Sequence, residues 1–555
     1  MVYVLSSLIK NSTSRAIIWY ILKDQNGVKK KYKSNQVKDL IRQGHKVVGL
    51  AIKNNRLIQT RSTIPVMKTS KQQIITYYTG EELIDHIGTG LQNIKCERDI
   101  VGNIYGFCKS SIVNKICIVH GIRRTGKTTS LMQTIRRLIS DGVSANDIGY
   151  IDIGDEVKDI KSFINKLKEL RVKYLFIDEV TFIHGFDGES SYLANHLAKR
   201  MRIVVTGTDS YVFPKAQMNA LYDRAVTIHS TYIPYNEYSR LFSINNPREY
   251  MTSGGIIVKD EFNGVVKSFE TLKSVVMMNI KNTLRRSNYS DDVLSSLSDE
   301  QIMYIIFNIL HKTMSPKTMS PKTIKKSKDL QKVGVKLSDP RVVGKNLANF
   351  LEGASGISSD EWIGIEKSIK DKLAYAKVLS ALYDLDILDH IHNISNETDN
   401  VTLETTMETV CLIQGLIYSV IKACHNEVSI INGDAFENMI VSNVIMYYRR
   451  NLDANYDIGY SRYKYNGTTR EVDVILRYTD LESEVYKYIL IEAKHGNEFK
   501  TEMIKNLSDD SIKEALPGEH TKIIVYNGET TRYRDIQLVN AHDFLTDIGK
   551  WIRWN

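Results

Sequence analysis

Between residues 116 and 205 the chain alternates short apolar runs with longer segments whose apolar positions fall three and four apart. Ile116-Cys117-Ile118-Val119, Asp147 to Ile153, Val172 to Ile177 and Arg202-Ile203-Val204-Val205 are the runs, and each reads as a buried strand. Leu131-Met132-Gln133-Thr134-Ile135 and Val157 to Leu170 read as helices between them. Strands separated by helices imply a parallel sheet covered on both faces, with ligands gathered at the carboxyl ends of the strands.

The pattern changes on either side. Residues 1–65 carry the β-like runs Ala16 to Leu22 and Val47 to Ile52, the turn Asp24 to Gly27 and a helical stretch from Ser34 to Gln43, which together predict a small ββαββ module. Its first hairpin carries Lys29-Lys30-Lys31, read as a solvated charge run or a docking patch. Thr60 to Lys71 reads as a linker, and Gly80 to Leu91 as a helix. Further on, a basic helix is expected from Lys267 to Arg286 and another from Ile302 to Leu310. Thr313 to Thr323 duplicates Thr-Met-Ser-Pro-Lys, and residues 311–336 hold eight lysines against the single acid Asp329. This is a flexible insertion, a loop that tolerates duplication or one that lies against phosphates.

Helical order returns from Leu347, and Val378 to Leu388 with His390-Ile391-His392 is similar to a winged-helix unit. The two histidines alternate on one strand without a third ligand near them in sequence, so they read as surface or core residues. A helix opened by Gly433-Asp434 runs to about Tyr448, and strands follow at Tyr456 to Tyr465, Glu471 to Leu476, Tyr488 to Ile491, Thr521 to Tyr526 and Ile536 to Val539, with Asn466-Gly467 as a hairpin turn.

At 555 residues the chain is too long for one core. Lys+Arg exceed Asp+Glu by ten, a modest bias toward a polyanionic partner. Five cysteines without a CxxC pair suggest neither a disulfide framework nor a zinc site, and fit a reducing cytosol. No apolar run reaches the roughly 20 residues a bilayer span needs, and the start lacks a signal peptide, so no membrane partner and a cytoplasmic location are expected.

Chemistry concentrates first at Gly121-Ile122-Arg123-Arg124-Thr125-Gly126-Lys127-Thr128-Thr129, which fits G-x-x-x-x-G-K-[ST] between a strand and a helix. Gly121 and Gly126 let backbone N–H groups approach a polyphosphate. Lys127 reaches the β- and γ-phosphates, and Thr128 offers its hydroxyl to Mg²⁺. Arg124, Thr125 and Thr129 belong to the same cradle. The strand before Asp178-Glu179 delivers two carboxylates, Asp178 to orient Mg²⁺ and Glu179 to polarise the attacking water. Thr206 is the first choice for a polar contact to the γ-phosphate, with Thr208 or Ser210 as substitutes, and the segment is also good turn chemistry.

A second constellation lies at Asp473 and Glu492-Ala493-Lys494. Positions i and i+2 of a strand share a face, so Glu492 and Lys494 point together and can meet Asp473 from an adjacent antiparallel strand. Such carboxylates bind Mg²⁺ or Mn²⁺, the lysine steadies a metal-bound hydroxide or the scissile phosphate, and Glu437 could complete the metal set of Asp473 and Glu492.

Taken in order, Gly121 to Thr129, Phe176 to Thr181, Val205 to Ser210, Asp223-Arg224 and Ile233 to Tyr238 resemble the AAA+-type P-loop ATPases of bacteria and archaea that carry a C-terminal nuclease-like domain. Tyr250 to Ile256 resembles the Gly-Gly turn of those proteins. By that resemblance Arg224 contacts nucleotide, in cis or from a neighbouring subunit of a homo-oligomer. Asp473, Glu492 and Lys494 resemble the PD-(D/E)xK nuclease core, with Val472 where that motif has proline. The resemblance implies an α/β protein made of a P-loop NTPase parallel sheet, a helical and winged-helix region and a C-terminal restriction-endonuclease-like domain. The expected boundaries are 1–65, 75–242, 243–425 with the insertion 311–336, and 430–555. The expected function is ATP binding and hydrolysis coupled to a metal-dependent DNA nuclease, with ATP and Mg²⁺ as cofactors. The alternative is a nucleotide-driven switch whose inactive nuclease-like fold only binds DNA or a partner protein.

Overall fold

A computed structural model describes residues 18–23, 29–33, 46–52, 66–68, 74–154, 157–208, 221–257, 259–260, 264–265, 297–313, 358–369, 372–403, 407–418, 428–452, 455–479, 486–508 and 510–552. The chain divides into two compact units, residues 1–65 and 66–555. In the first, β1 (Ile18–Lys23), β2 (Lys29–Lys33) and β3 (Lys46–Ile52) form an antiparallel sheet in the order β2-β1-β3. The three lysines lie on β2, where Lys31 stands opposite Ile21. The turn at 24–27 and the helix expected at 34–43 lie outside the described residues, as do the basic helix at 267–286 and the lysine-rich stretch from 314 onward.

The second unit begins with a seven-stranded sheet of β4 (Val66–Lys68), β5 (Ile74–Tyr78), β6 (Ile116–His120), β7 (Ile148–Ile153), β8 (Tyr174–Asp178), β9 (Arg202–Gly207) and β10 (Ala225–His229). Their order is β10-β6-β9-β8-β7-β5-β4. The five strands from β10 to β7 are parallel, whereas β5 and β4 pair antiparallel at one edge. Val66 to Lys68 falls in the stretch read as a linker. It pairs with Ile74 to Thr76, and the second compact unit begins at Val66.

Alternate residues of each strand face opposite sides, which is why both faces are apolar. Ile116, Ile118, Leu175, Ile177, Ile203 and Val205 pack on one side against α4 (Ile160–Glu169) and α5 (Phe186–Tyr192). Cys117, Val119, Phe176 and Val204 pack on the other against α1 (Gly80–Gly90), α2 (Ile100–Lys109) and α3 (Lys127–Ser140). In α4 the side chain of Asp159 accepts from Ser162 N, which caps the first turn, and Phe163, Ile164 and Leu167 recur at helical spacing on the buried face. Full burial of Phe163 stabilises by about 1.5–3 kcal/mol, and Phe163→Ala would cost about 3–5 kcal/mol with the cavity included.

After β10 come α6 (Tyr235–Phe242), α7 (Pro247–Ser253) and the two-residue strands β11 (Lys259–Asp260) and β12 (Gly264–Val265). Helices α8 (Asp299–Thr313), α9 (Ser359–Ser368) and α10 (Lys372–Asp384) follow. Ala374, Val378, Leu379, Ala381 and Leu382 of α10 are buried in a core shared with Tyr304 of α8 and Trp362 of α9.

The last sheet contains β13 (Leu388–Asn393), β14 (Val401–Leu403), β15 (Met407–Cys411), β16 (Tyr456–Tyr465), β17 (Thr468–Thr479), β18 (Tyr486–Lys494), β19 (Glu519–Tyr526), β20 (Thr531–Tyr533) and β21 (Ile536–Asn540). β16, β17 and β18 form an antiparallel meander, and β19 and β21 continue parallel to β18. Asn466 and Gly467 both take positive φ, 48° and 78°, as a two-residue hairpin turn requires. β13 runs parallel to β16 and antiparallel to β15, and β14 also pairs with β16. At Gly459 any Cβ would strike His392 O, so glycine permits this close strand approach. The expected boundary between residues 425 and 430 thus falls between strands of one hydrogen-bonded sheet.

α11 (Val428–Asn451) lies across this sheet, with Ala435, Phe436, Met439, Ile440 and Val444 buried in one core with Val474, Leu476, Ile489 and Ile491. The helix starts at Val428, so Gly433 lies inside it and does not open it. His390 and His392 are exposed on β13, in edge contact with each other.

Candidate functional site

The loop from Gly121 to Gly126 joins the carboxyl end of β6 to the amino end of α3. Gly121 has φ 146°, and a Cβ there would collide with Ser230 O. Gly126, the N-cap of α3, has φ 81°. Arg124 is also left-handed at 64°, and its carbonyl accepts from Ile257 N at 2.7 Å. Thr125 is buried, its hydroxyl donating to Ile122 O at 3.0 Å and receiving from Ser230 Oγ at 2.9 Å, while Arg98 Nη1 donates to its carbonyl. The loop is thus fixed from outside by three partners, Arg98, Ser230 and Ile257, as a preformed anion cradle at a helix amino end should be.

Lys127 is buried and its ammonium donates to Gly121 O at 2.7 Å and Ile122 O at 2.8 Å. Burial pushes it down to about 8, against the pull of Glu179 and Asp178. Thr128 is exposed and Thr129 half-buried on the first turn of α3.

Asp178 ends β8, flanked by β7 and β9. Tyr150 Oη donates to its Oδ2 at 3.0 Å and Thr206 Oγ1 to its Oδ1. Thr206 also receives Glu179 N at 3.1 Å, so it orients both acids instead of projecting freely. Glu179 is left-handed at φ 61°, and its Oε2 accepts from Thr181 and Thr208 at 3.3 Å each. Burial raises the Glu179 carboxyl above its ordinary range, with Lys127 opposing. Asp152, one strand over and paired in register with Asp178, is raised by burial and by that neighbour. The paired acids, the threonines and a lysine in electrostatic contact with both carboxylates suit a Mg²⁺-bound polyphosphate. Ser210 lies outside the described residues.

Arg224 is exposed and immediately precedes β10, whose strand runs parallel to β6. That places it at the amino edge of the sheet, whereas the loop leaves the carboxyl edge. The structure does not bring Arg224 to its own phosphate loop, and Asp223 pairs with Lys115 at 2.8 Å.

The second constellation is assembled at the carboxyl end of β18. Opposite Tyr460, β17 carries two residues, Asp473 and Val474, because Gly459 pairs with Ile475 and Ser461 with Val472. Such a bulge re-aims the side chains beside it. Asp473 Oδ2 accepts from Ala493 N at 2.7 Å and lies 3.6 Å from Lys494 Nζ. Lys494 also pairs with Glu492, whose Oε1 accepts from Asn506 at 3.0 Å. Glu492 is fully buried and its carboxyl is pushed up to about 8 by burial and by Asp473, with Lys494 pulling the other way.

Glu437 of α11, Glu471 and Asp473 bring one carboxylate oxygen each within 4.8 Å of one another. Of the expected metal set, Glu437 and Asp473 are therefore together, while Glu492 is held by Lys494 and Asn506. Glu471 takes the third place and also pairs with Arg462. Sequence reasoning missed Glu471, although its i and i+2 relation to Asp473 carried the signal, and it missed Asn506, Tyr150 and Asp152. The three-carboxylate group offers hard oxygen ligands of the kind Mg²⁺ or Mn²⁺ takes.

Residues 113–239 match a family model described as an AAA domain. An uncharacterized protein of Methanocaldococcus jannaschii is 27% identical over 149 residues, 25% of this chain and 32% of that protein. An uncharacterized protein of Haemophilus influenzae is 24% identical over 186 residues, 30% of this chain and 44% of its own length. The chain thus spans less than half the length of either relative it matches. Among solved structures, the Saccharomyces cerevisiae Hsp104:casein complex superposes with TM-score 0.24 at 13% identity, over 43% of this chain and 49% of that one. Caenorhabditis elegans PCH-2 does so with TM-score 0.23 at 11% identity, over 42% and 72%. Overlaps that small fix neither fold nor function. No helix among the described residues is long and apolar enough to cross a membrane. The loop, the paired acids and the family match converge on one stretch: residues 113–239 are similar to an AAA domain and carry its phosphate-binding loop.

Proposed function

We propose that the chain is an ATP-hydrolysing AAA+-type protein whose nucleotide state governs a metal-dependent DNA nuclease built on the sheet from β13 to β21. ATP sits against Gly121, Arg124, Thr125, Gly126, Lys127 and Thr129, Mg²⁺ is held by Thr128 and Asp178, Glu179 acts as base, and Thr206 keeps both acids in place. The observation that carries the nuclease half is Asp473 and Lys494 meeting across antiparallel strands, with Glu492 beside them and Glu437 brought in by α11. The meander, the helical turns between residues 501 and 515 and the parallel β19 support a PD-(D/E)xK-like core.

At this site Glu437, Glu471 and Asp473 would hold Mg²⁺ or Mn²⁺, which supplies an activated water and neutralises the scissile phosphate. Lys494 remains charged, because Asp473 and Glu492 outweigh the burial that opposes its charge, so it is suited to a phosphate oxygen. Arg224, exposed and away from its own loop, would serve a neighbouring subunit of a homo-oligomer. The order of α8, α9, α10 and the β13–β15 hairpin supports a winged-helix-like unit.

Purified protein should cut DNA with Mg²⁺ or Mn²⁺ in an ATP-dependent manner, and Glu492→Ala and Lys494→Ala should abolish cutting with ATPase activity intact. Absence of cleavage by the parent protein with either ion, with and without ATP, would sink the nuclease half. A second reading, a nucleotide-driven switch whose inactive nuclease-like fold only binds DNA or a partner protein, is favoured by one observation: Lys494 and Asn506 already occupy Glu492. DNA binding without cleavage selects it.

A further inference from the structure

Behind the phosphate loop lies a charge cluster centred on a buried carboxylate that takes no part in either site. Glu237, on the first turn of α6, has no exposed side-chain surface. It receives Arg98 Nε at 2.6 Å and Nη2 at 3.0 Å, and Asp99 N at 2.8 Å. On its other side Arg450 Nη1 stands 3.5 Å from Oε2. Burial opposes the charge of Glu237, yet the two arginines hold its carboxyl below the usual range.

The outer ends of this triad are anchored in different parts of the molecule. Arg98 donates to the carbonyl of Thr125, inside the phosphate loop, and its stem lies against Gly126. Arg450 is in the last turn of α11 and also donates to Thr231 Oγ1. One residue pair reinforces the connection: Asn443 Oδ1 accepts Tyr235 N at 2.8 Å at the start of α6. Asn443 and Arg450 are seven positions apart, two turns, so α6 grips one face of α11 at two points. Thirteen positions before Arg450 the same helix presents Glu437 to the carboxylate cluster.

We propose that Arg98, Glu237 and Arg450 form a relay through which occupancy of the phosphate loop repositions α11 and with it Glu437. Any shift of the Thr125 carbonyl as the loop engages phosphate changes the Arg98 contact. A bidentate buried pair transmits that shift because neither partner can find water instead. Arg98, Glu237 and Arg450 act as positioning residues and touch no reacting atom. The relay rests on the nucleotide-binding reading of Gly121 to Thr129, and it does not require the C-terminal site to be catalytic.

The test is amide hydrogen exchange of the full chain with and without Mg²⁺·ATP, read separately for residues 116–140 and 437–451. In the parent protein ATP should slow exchange in both stretches, by roughly threefold or more in α11. Arg450→Met, which leaves Arg98 and Glu237 as a neutral buried pair, should bind ATP within about threefold of the parent and keep the response at 116–140 while losing it at α11. The conservative R450K should retain the α11 response, which separates the relay from a loss of folding. A retained α11 response in R450M overturns the relay. So does a parent that binds ATP without any α11 response, which leaves the nucleotide reading standing. A parent that fails to bind ATP overturns both.

Discussion

The phosphate loop and the carboxylate cluster, the two sites proposed above for a charged ligand, are built by opposite means. The loop is one contiguous stretch whose ligands are largely its own backbone, and it is held rigid from outside by Arg98, Ser230 and Ile257. The carboxylate cluster takes Glu437 from α11, Glu471 and Asp473 from β17, and Lys494 from β18, and it depends on a bulge to aim its side chains. A backbone site is carried by local conformation, so it fails through a change of φ. A side-chain site is carried by packing between elements, so it fails through a change of charge or register.

The sharpest way to break that contrast is Lys127→Ala. Removing the ammonium should weaken ATP binding about 1,000-fold in a calorimetric titration while leaving untouched any Mn²⁺ binding proposed for Glu437, Glu471 and Asp473. Persistent ATP hydrolysis in that variant would remove the nucleotide assignment. Next in size, Gly121→Ala forces a side chain into φ 146° and against Ser230 O, which should cost about 3 kcal/mol in urea unfolding together with most of the ATP affinity. Tolerance of alanine there would mean that the loop is not conformationally fixed.

A third experiment uses pH. His120, half-buried at the end of β6 and stacked on His229, is pushed down to about 3, mainly by loss of hydration and then by the neighbouring ring. The unfolded chain takes up this proton near 6.5 and the folded chain near 3, so stability is full above 6.5 and falls as pH drops toward 3. At pH 5 the loss is about 2 kcal/mol, and His120→Gln should flatten that limb of the acid unfolding curve. An unaltered curve would place the acid sensitivity elsewhere. The smallest effect is expected at the hairpin turn, where Gly467→Ala meets nothing within 4 Å and carries only the strain of φ 78°, about 1 kcal/mol.

The same contrast explains what could be read from the chain. Gly121 to Thr129 and Asp178-Glu179 were legible because strand, turn and helix periodicity are local and their chemistry is contiguous. Asp473, Glu492 and Lys494 were legible because the two-residue period of a strand puts i and i+2 on one face. Glu471 left the same signal, two positions before Asp473, but its meeting with Glu437 of α11 depends on packing that no local pattern shows. The place of β13 to β15 in the last sheet was hidden as well. Their partner β16 follows a 24-residue helix, and nothing in a local pattern specifies a pairing across it. Arg98 and Glu237, 139 positions apart, left no local trace either.

The pairing of β13 with β16 has a consequence for how the molecule is made. His392 and Gly459 are neighbours in the sheet but 67 residues apart in the chain, and β19 and β21 complete the sheet only near the end. On the ribosome β13 and β15 therefore emerge with apolar faces whose partners are not yet synthesised, while the phosphate-loop sheet, closed by residue 229, can already fold. A chain truncated to start near residue 430 would leave β16 without its early partners, and expression of the last sheet by itself should require a start before Leu388.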